Sequence, residues 1–408
     1  MKQTNRFARY VEVLDTTLRD GEQTPGVAYT PAEKFEIARL FISHLHIDRL
    51  EIGSARVSEG EKVGLRSILE WAEHRGCLER MEILGFVDGG KSANWIRECG
   101  GKVLNLLAKG SETHCRVQLR KEPEQHFSDV CREIEQARKM GLAVNVYLED
   151  WSNGMINSLP YVFEFLHRLS EMEIERVMLP DTLGILTPEQ VTRYLDWVYA
   201  AAPNLRIDFH GHNDYGLVTA NSLAAVQAGV SGIHVTVNGL GERTGNQSLA
   251  QLVVAINDHT ERATRVVEKE LLHASVMVQS ISGKRYAWNA PVVGSDVFTQ
   301  TCGVHADGDK KGNLYANRLL PERFGRKRDY ALGKLSGKAS LDQNLQAIGM
   351  SELDPEVRAK VLQEIVRLGD KKKQVSAADL ISFFSEETSH VIVVSTSASV
   401  LPPGGIRT

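Results

Sequence analysis

Short runs of aliphatic and β-branched residues recur through the first 240 positions at a regular spacing. They are VEVLDTT (Val11–Thr17), DRLEIGS (Asp48–Ser54), MEILGFV (Met81–Val87) and KVLNLLA (Lys102–Ala108). AVNVYLED (Ala143–Asp150), RVMLPDT (Arg176–Thr182), RIDFHGHND (Arg206–Asp214) and GIHVTVNG (Gly232–Gly239) complete the set. Several are apolar almost without interruption, which is the pattern of strands buried on both faces. Helical patterns lie between them. TPAEKFEIARLFISHL opens with Thr30, Pro31 and Glu33, which predicts a capping box with proline at the first helical position. Phe35, Ala38, Phe41 or Ile42, and Leu45 then share one face. TPEQVTRYLDWVYAA repeats the start signal at Thr187, Pro188 and Gln190. Eight alternations of strand and helix predict a parallel sheet closed into a (β/α)₈ TIM barrel, with an open doubly wound sheet as the alternative.

The rhythm changes after about residue 265. Leu271–Ser282 reads as helix, and Asn289–Arg328 as loop, rich in Gly and Asp and ending in a basic FGRKR. Helical patterns return near Leu341–Ile348 and Pro355–Leu368, and HVIVVSTSASVLPPGGIRT reads as a strand followed by a disordered end. The expected organisation is a barrel over 1–268, a linker subdomain with a lid loop over 269–325, a mostly helical subdomain over 326–385, and a tail over 386–408.

A net charge of −4 and a pI near 6.4 give no argument for nucleic acid or an anionic membrane as partner. Five cysteines without a CxxC pair argue against a disulfide framework or a thiolate zinc site, and suit a reducing cytoplasm. No apolar signal core opens the chain and no apolar run is long enough to span a bilayer, so the expected location is the cytoplasm.

A barrel places its chemistry at the C-terminal ends of its strands. Arg19 and Asp20 follow strand 1, Glu51 lies on strand 2, and Glu149 and Asp150 end strand 5. Asp181 and Thr182 end strand 6, HGHND ends strand 7, and GLGERTGN (Gly239–Asn246) follows strand 8. His210 and His212, two apart, share a strand face. Two imidazoles with a carboxylate such as Asp20 make a facial set for a divalent metal with open positions for a ligand; the alternative is a pair of histidines capping the core by hydrogen bonds. GLGERTG misses the dinucleotide fingerprint because its third glycine is one position late and it follows the last strand. GKLSGKAS (Gly333–Ser340) misses the phosphate loop because Ala339 stands where Ser or Thr is needed. GVHADGDKKGNLYAN (Gly303–Asn317) is either a surface loop or a lid carrying a base over the metal.

LDTTLRDGEQTPG, LEIGSARVSEGE, NVYLEDWSNG, HGHNDYGLVTANSLAAVQAG, NGLGERTGN and GVHADGDKKGN together resemble the acyl-CoA-dependent metallolyase-type barrels, within them the 2-isopropylmalate, citramalate and homocitrate synthases. The resemblance spans about residues 11–370. It implies a divalent metal (Mn²⁺, Mg²⁺ or Zn²⁺), acetyl-CoA as co-substrate, and a homodimer in which His305 reaches the partner's active site. It matches Asp20, His210, His212 and Asn246 to metal ligands, Arg19 to the group that polarises the 2-oxo acid, and Thr182 to the substrate carboxylate contact. Glu149 and His305 match the acid/base machinery, with Asp307 and Tyr315 in support. Leu84, Leu107 and Tyr147 match the substrate side-chain pocket, and none of the three is a cation for a second carboxylate, which argues against 2-oxoglutarate. The expected reaction is a Claisen condensation followed by thioester hydrolysis. The expected product is 2-isopropylmalate from 2-oxoisovalerate, on the way to leucine. The alternative is citramalate from pyruvate, on the way to isoleucine, and a more distant one is a metal-dependent aldolase-type lyase. Long members of the family carry a C-terminal regulatory domain, which would only be starting where this sequence stops at Thr408.

Overall fold

The computed structural model describes residues 6–350 and 353–387. Eight parallel strands close into a barrel in chain order: β1 (Glu12–Asp15), β2 (Arg49–Ser54), β3 (Met81–Phe86), β4 (Val103–Lys109), β5 (Ala143–Glu149), β6 (Arg176–Asp181), β7 (Ile207–Gly211) and β8 (Gly232–Val235). β8 pairs back to β1, with Val13 opposite Ile233 and Asp15 opposite Val235. The closed barrel is the architecture that the spacing predicts. Both expected capping boxes are present, Thr30 with Glu33 on α1 (Pro31–Ser43) and Thr187 with Gln190 on the helix Pro188–Ala201.

The barrel interior is layered by the alternation of side chains along each strand. At the N-terminal ends lies a plug of charge. Arg49 contacts Glu82 and Asp208, Arg176 contacts Glu12 and Asp208, and Arg206 contacts Glu12. Three guanidinium groups thus meet three carboxylates, which is what burial of so many charges requires. Two residues further along the strands an apolar layer follows, made by Leu14, Leu84, Tyr147 and Met178 with Leu107 packed against them. Polar side chains return above it, at the mouth.

The described residues form two compact units, 6–297 with 318–326, and 298–317 with 327–387. The second unit has its own core of Leu332, Leu341, Leu345, Val361, Ile365, Val375, Leu380 and Phe384. It holds a two-stranded parallel sheet, Thr299–Gln300 with Asp329–Tyr330, and the helices Lys338–Ala347, Pro355–Asp370 and Ala377–Glu387. Where the glycines of GVHADGDKKGN predict loop, the chain is helical over Gly303–Lys310. Gly303 serves close approach instead, since a Cβ there would lie 2.7 Å from the Cα of Gly337. The strand expected in the last twenty residues lies outside the described part. Among the described residues no helix is long and apolar enough to cross a membrane.

Asp15, the last residue of β1, is fully buried. Its Oδ1 accepts the Thr17 N–H at 2.8 Å, but its Oδ2 has no partner. Burial pushes its carboxyl up to about 7. A raised folded-state value means that the stability Asp15 contributes is whole below its unfolded value near 4 and is lost as pH rises through about 7. Asp15→Asn keeps the acceptor and removes the charge. Its advantage over the wild type in urea denaturation is expected to grow by about 3 kcal/mol between pH 4.5 and 7.5. A pH-independent difference would contradict the assignment.

Candidate active site

The loop after β1 turns sharply on Thr16. The backbone N–H groups of Arg19 and Gly21 donate to the Thr16 carbonyl at 3.2 and 3.0 Å. This turn delivers Arg19 and Asp20 to the barrel mouth. Glu51, fully buried on β2, organises them: its Oε2 accepts from the Thr16 hydroxyl at 2.6 Å and from Arg19 Nε at 2.7 Å, and its Oε1 from Asn105 at 2.9 Å. Arg19 Nη1 then lies 3.4 Å from Asp20 Oδ2. The same Asp20 oxygen is 3.3 Å from His210 Nε2 and 3.8 Å from His212 Nε2.

These three groups fit a metal ion. One ligand atom from each of Asp20, His210 and His212 lies within 4.8 Å of the others, and all three residues are buried. Burial alone would push the Asp20 carboxyl up, but the Arg19 guanidinium and the two imidazoles hold it well below the usual carboxylate range. Burial keeps the His210 imidazole far below its ordinary value, so it is neutral and has a lone pair to give. Asn246 is joined to His212 by an isolated antiparallel bridge, and its buried Oδ1 has no hydrogen-bond partner. An unpartnered amide oxygen on the residue bridged to His212 would offer a fourth, neutral donor to such a set. Arg243 Nη2 donates to His212 Nδ1 at 2.9 Å, and Arg243 is also held by Asp214 and the Thr182 carbonyl. Arg243 thus engages the Nδ1 lone pair of His212, and a metal held through Nε2 would require a proton on Nδ1 instead.

The glycines of GLGERTGN shape this ligand loop. Gly241 has φ +153°, and a Cβ there would lie 2.2 Å from Asn246 Nδ2. Gly245 has φ +83°, and its Cβ would lie 1.9 Å from the Gly239 carbonyl. A motif that fails as a nucleotide fingerprint is thus needed to fold Asn246 back, with its Nδ2 donating to the Leu240 carbonyl at 3.0 Å.

The remaining expected residues are distributed as follows. Leu84, Leu107 and Tyr147 lie in the apolar layer. The Tyr147 hydroxyl meets His234 Nδ1 at 3.1 Å, and its ring stands edge-on to His210 at 6.3 Å with the Arg19 guanidinium 5.7 Å away. Two residue pairs above Leu107 and Tyr147 in the register stand Lys109 and Glu149, joined as an ion pair. Lys109 is a cation at the same mouth that reading the three pocket residues alone does not reveal. The Thr182 hydroxyl oxygen accepts the Asp150 N–H at 2.9 Å, which leaves its proton to donate elsewhere. His305 and Asp307 lie on the helix Gly303–Lys310 of the second unit, and the His305 ring stacks on Tyr315 at 4.2 Å. Glu51 and Lys109 show one signal in sequence: each falls on the same parity as another polar residue of its strand, Arg49 on β2 and Asn105 on β4.

The HMGL-like family model matches residues 10–278, and the homocitrate synthase post-HMGL domain-like model matches residues 292–373. A putative (R)-citramalate synthase of Methanopyrus kandleri is 35% identical over 91% of this chain and 71% of that protein. The (R)-citramalate synthase of Methanocaldococcus jannaschii is 32% identical over 94% and 76%, and a probable 2-isopropylmalate synthase of Ignicoccus hospitalis 32% over 90% of each. Among solved structures, the hydroxymethylglutaryl-CoA lyase of Pseudomonas aeruginosa superposes with a TM-score of 0.58 at 19% identity, over 71% of this chain and 97% of that one. That likeness concerns the fold. This chain belongs to the HMGL-like family, in the branch that carries the second, post-HMGL domain.

Gly241→Ala is expected to displace Asn246 and weaken manganese binding by about tenfold or more, measured by titration calorimetry on the metal-stripped chain. Unchanged affinity in a folded variant would remove Asn246 from the ligand set.

Proposed function

We propose that this chain condenses acetyl-CoA with pyruvate and hydrolyses the resulting thioester, releasing citramalate and CoA. The observation that carries the choice of 2-oxo acid is the fixed Tyr147 ring. It is tied at its hydroxyl to His234 and packed with Leu14, Leu84 and Met178, so the floor beneath Arg19 and His210 is closed and apolar. Such a floor suits the methyl group of pyruvate and offers no cation to a distal carboxylate, since Lys109 is already taken up by Glu149. Curated relatives named as citramalate synthases and as 2-isopropylmalate synthases support the reaction class. The second reading is 2-isopropylmalate synthesis from 2-oxoisovalerate. The probable 2-isopropylmalate synthase of Ignicoccus among the relatives favours it, and its substrate differs by a side chain two carbons larger.

The residues divide the work. Asp20, His210, His212 and Asn246 would hold a divalent metal (Mn²⁺, Mg²⁺ or Zn²⁺), which when bound supplies Lewis acidity at the oxygens of the 2-oxo acid. Arg19, fixed by Glu51, presents its free N–H groups where the keto oxygen gains charge as the carbon–carbon bond forms. A donor already oriented costs no reorganisation at that moment. The Thr182 hydroxyl, its lone pair engaged by Asp150, donates to the substrate carboxylate. Glu149 takes the methyl proton of acetyl-CoA with the oxygen that Lys109 leaves free, and the new carbanion attacks the keto carbon. His305, supported by Asp307 and Tyr315, completes the proton transfers from the second chain of a homodimer. Water then cleaves the thioester, and loss of CoA draws the reaction forward.

Release of CoA, followed with a thiol reagent, tests this. Pyruvate is expected to give a kcat/KM at least about tenfold above that for 2-oxoisovalerate, in line with the 1–3 kcal/mol that one methylene is worth in a pocket. The reverse preference would establish the second reading, and no CoA release with any 2-oxo acid would sink both. His212→Ala should abolish metal-dependent turnover, and retained activity would refute its place among the ligands.

A further inference from the structure

Lys34 is almost wholly buried on α1, and its ammonium makes three kinds of contact. It donates to the Leu18 carbonyl at 3.1 Å, to both oxygens of Glu61 at 2.8 and 2.7 Å, and to Glu22 Oε2 at 2.7 Å. An ammonium has three donors and no acceptor, so this set satisfies it completely. The partners come from different segments. Leu18 immediately precedes Arg19 and Asp20. Glu22 ends the same loop, and its other oxygen accepts the Tyr29 N–H at 2.8 Å. Glu61 begins the helix Glu59–His74 and reaches back toward β2, where its Oε1 also accepts the Ser54 N–H at 3.3 Å. That reach depends on Gly53, because a Cβ there would lie 2.0 Å from Glu61 Oε1.

Stability alone does not account for such a node. A buried ion pair replaced by apolar groups of like volume is often neutral or stabilising. What an apolar side chain cannot do is hold four oxygens, two from the loop after β1 and two from Glu61, around one point. The Arg19–Asp20 turn is held on its inner side by Thr16, through the Arg19 and Gly21 N–H groups and the contact of Asp20 N with Thr16 Oγ1 at 3.3 Å. On its outer side it is held by Lys34. We propose that Lys34 is a positioning residue for the metal- and substrate-binding turn: by fixing the Leu18 carbonyl and Glu22 it sets where Arg19 and Asp20 emerge at the barrel mouth. This rests on the reading of Asp20 as a metal ligand. It gives Glu22, which the resemblance leaves without a role, a structural reason to be acidic.

The test is calorimetric titration of manganese(II) into the full chain stripped of metal, for the wild type, Lys34→Met, Glu61→Gln and the control Ile37→Ala. Ile37 is fully buried on the same helix and has no polar side-chain atom to bond these oxygens, so Ile37→Ala is expected to lower thermal stability and leave the Lys34 contacts in place. Lys34→Met and Glu61→Gln are expected to weaken manganese binding by about tenfold or more, as loss of an outer-shell contact does, and to lower kcat more than they change KM for acetyl-CoA. Ile37→Ala is expected to bind manganese like the wild type. Should Lys34→Met fail to fold, Glu61→Gln, which keeps its volume and its contact to Ser54, decides the matter. Wild-type affinity in the folded Lys34 or Glu61 variant, or an equal loss in Ile37→Ala, would overturn the proposal. A wild-type chain that binds no manganese would overturn the metal reading beneath it, and shows in a separate arm of the titration.

Discussion

A carboxylate held ionised out of water is the constraint around which the barrel mouth is built. Moving such a group from water costs several kcal/mol unless opposite charge and hydrogen bonds answer it. Asp20 is answered by Arg19 on one side and two imidazoles on the other. Arg19 would be free to collapse onto Asp20, but Glu51 holds its Nε from within the barrel. Charge therefore alternates from Glu51 to Arg19 to Asp20, and the two imidazoles lie on the far side of Asp20. Beside this chain of contacts, Asn246 Oδ1 and His210 Nδ1 are buried without a hydrogen-bond partner.

The rest of the barrel isolates this arrangement. The ionic plug at the N-terminal ends closes the interior from below, with its charges balanced internally. The layer of Leu14, Leu84, Tyr147 and Met178 then separates plug from mouth. An apolar layer thus stands between two polar ones. One strand parity thus serves stability at the bottom, shape in the middle and chemistry at the top.

Much of this was legible in one dimension. The β-rich runs announced the strands by their near-continuous apolar character, and two capping boxes marked helix starts because their chemistry is confined to four consecutive residues. His210 and His212 could be paired because a strand's period puts them on one face. What was not legible depends on contacts between distant segments. Glu51 and Lys109 look like isolated charges in apolar strands until the closed barrel gives them Arg19 and Glu149 as partners. Lys34, Glu22 and Glu61 lie in three separate patterns and meet at one ammonium. The helix Gly303–Lys310 was hidden because its glycines read as turns, whereas Gly303 is needed for contact with Gly337.

The central claim is that two imidazoles and a carboxylate at this mouth hold a metal ion that the 2-oxo acid joins. Pulsed electron paramagnetic resonance of the manganese-loaded chain tests it most directly. The account predicts nitrogen couplings from two histidines, and line broadening when pyruvate enriched in oxygen-17 is added. A manganese signal without nitrogen coupling, or one indifferent to the labelled substrate, would contradict it.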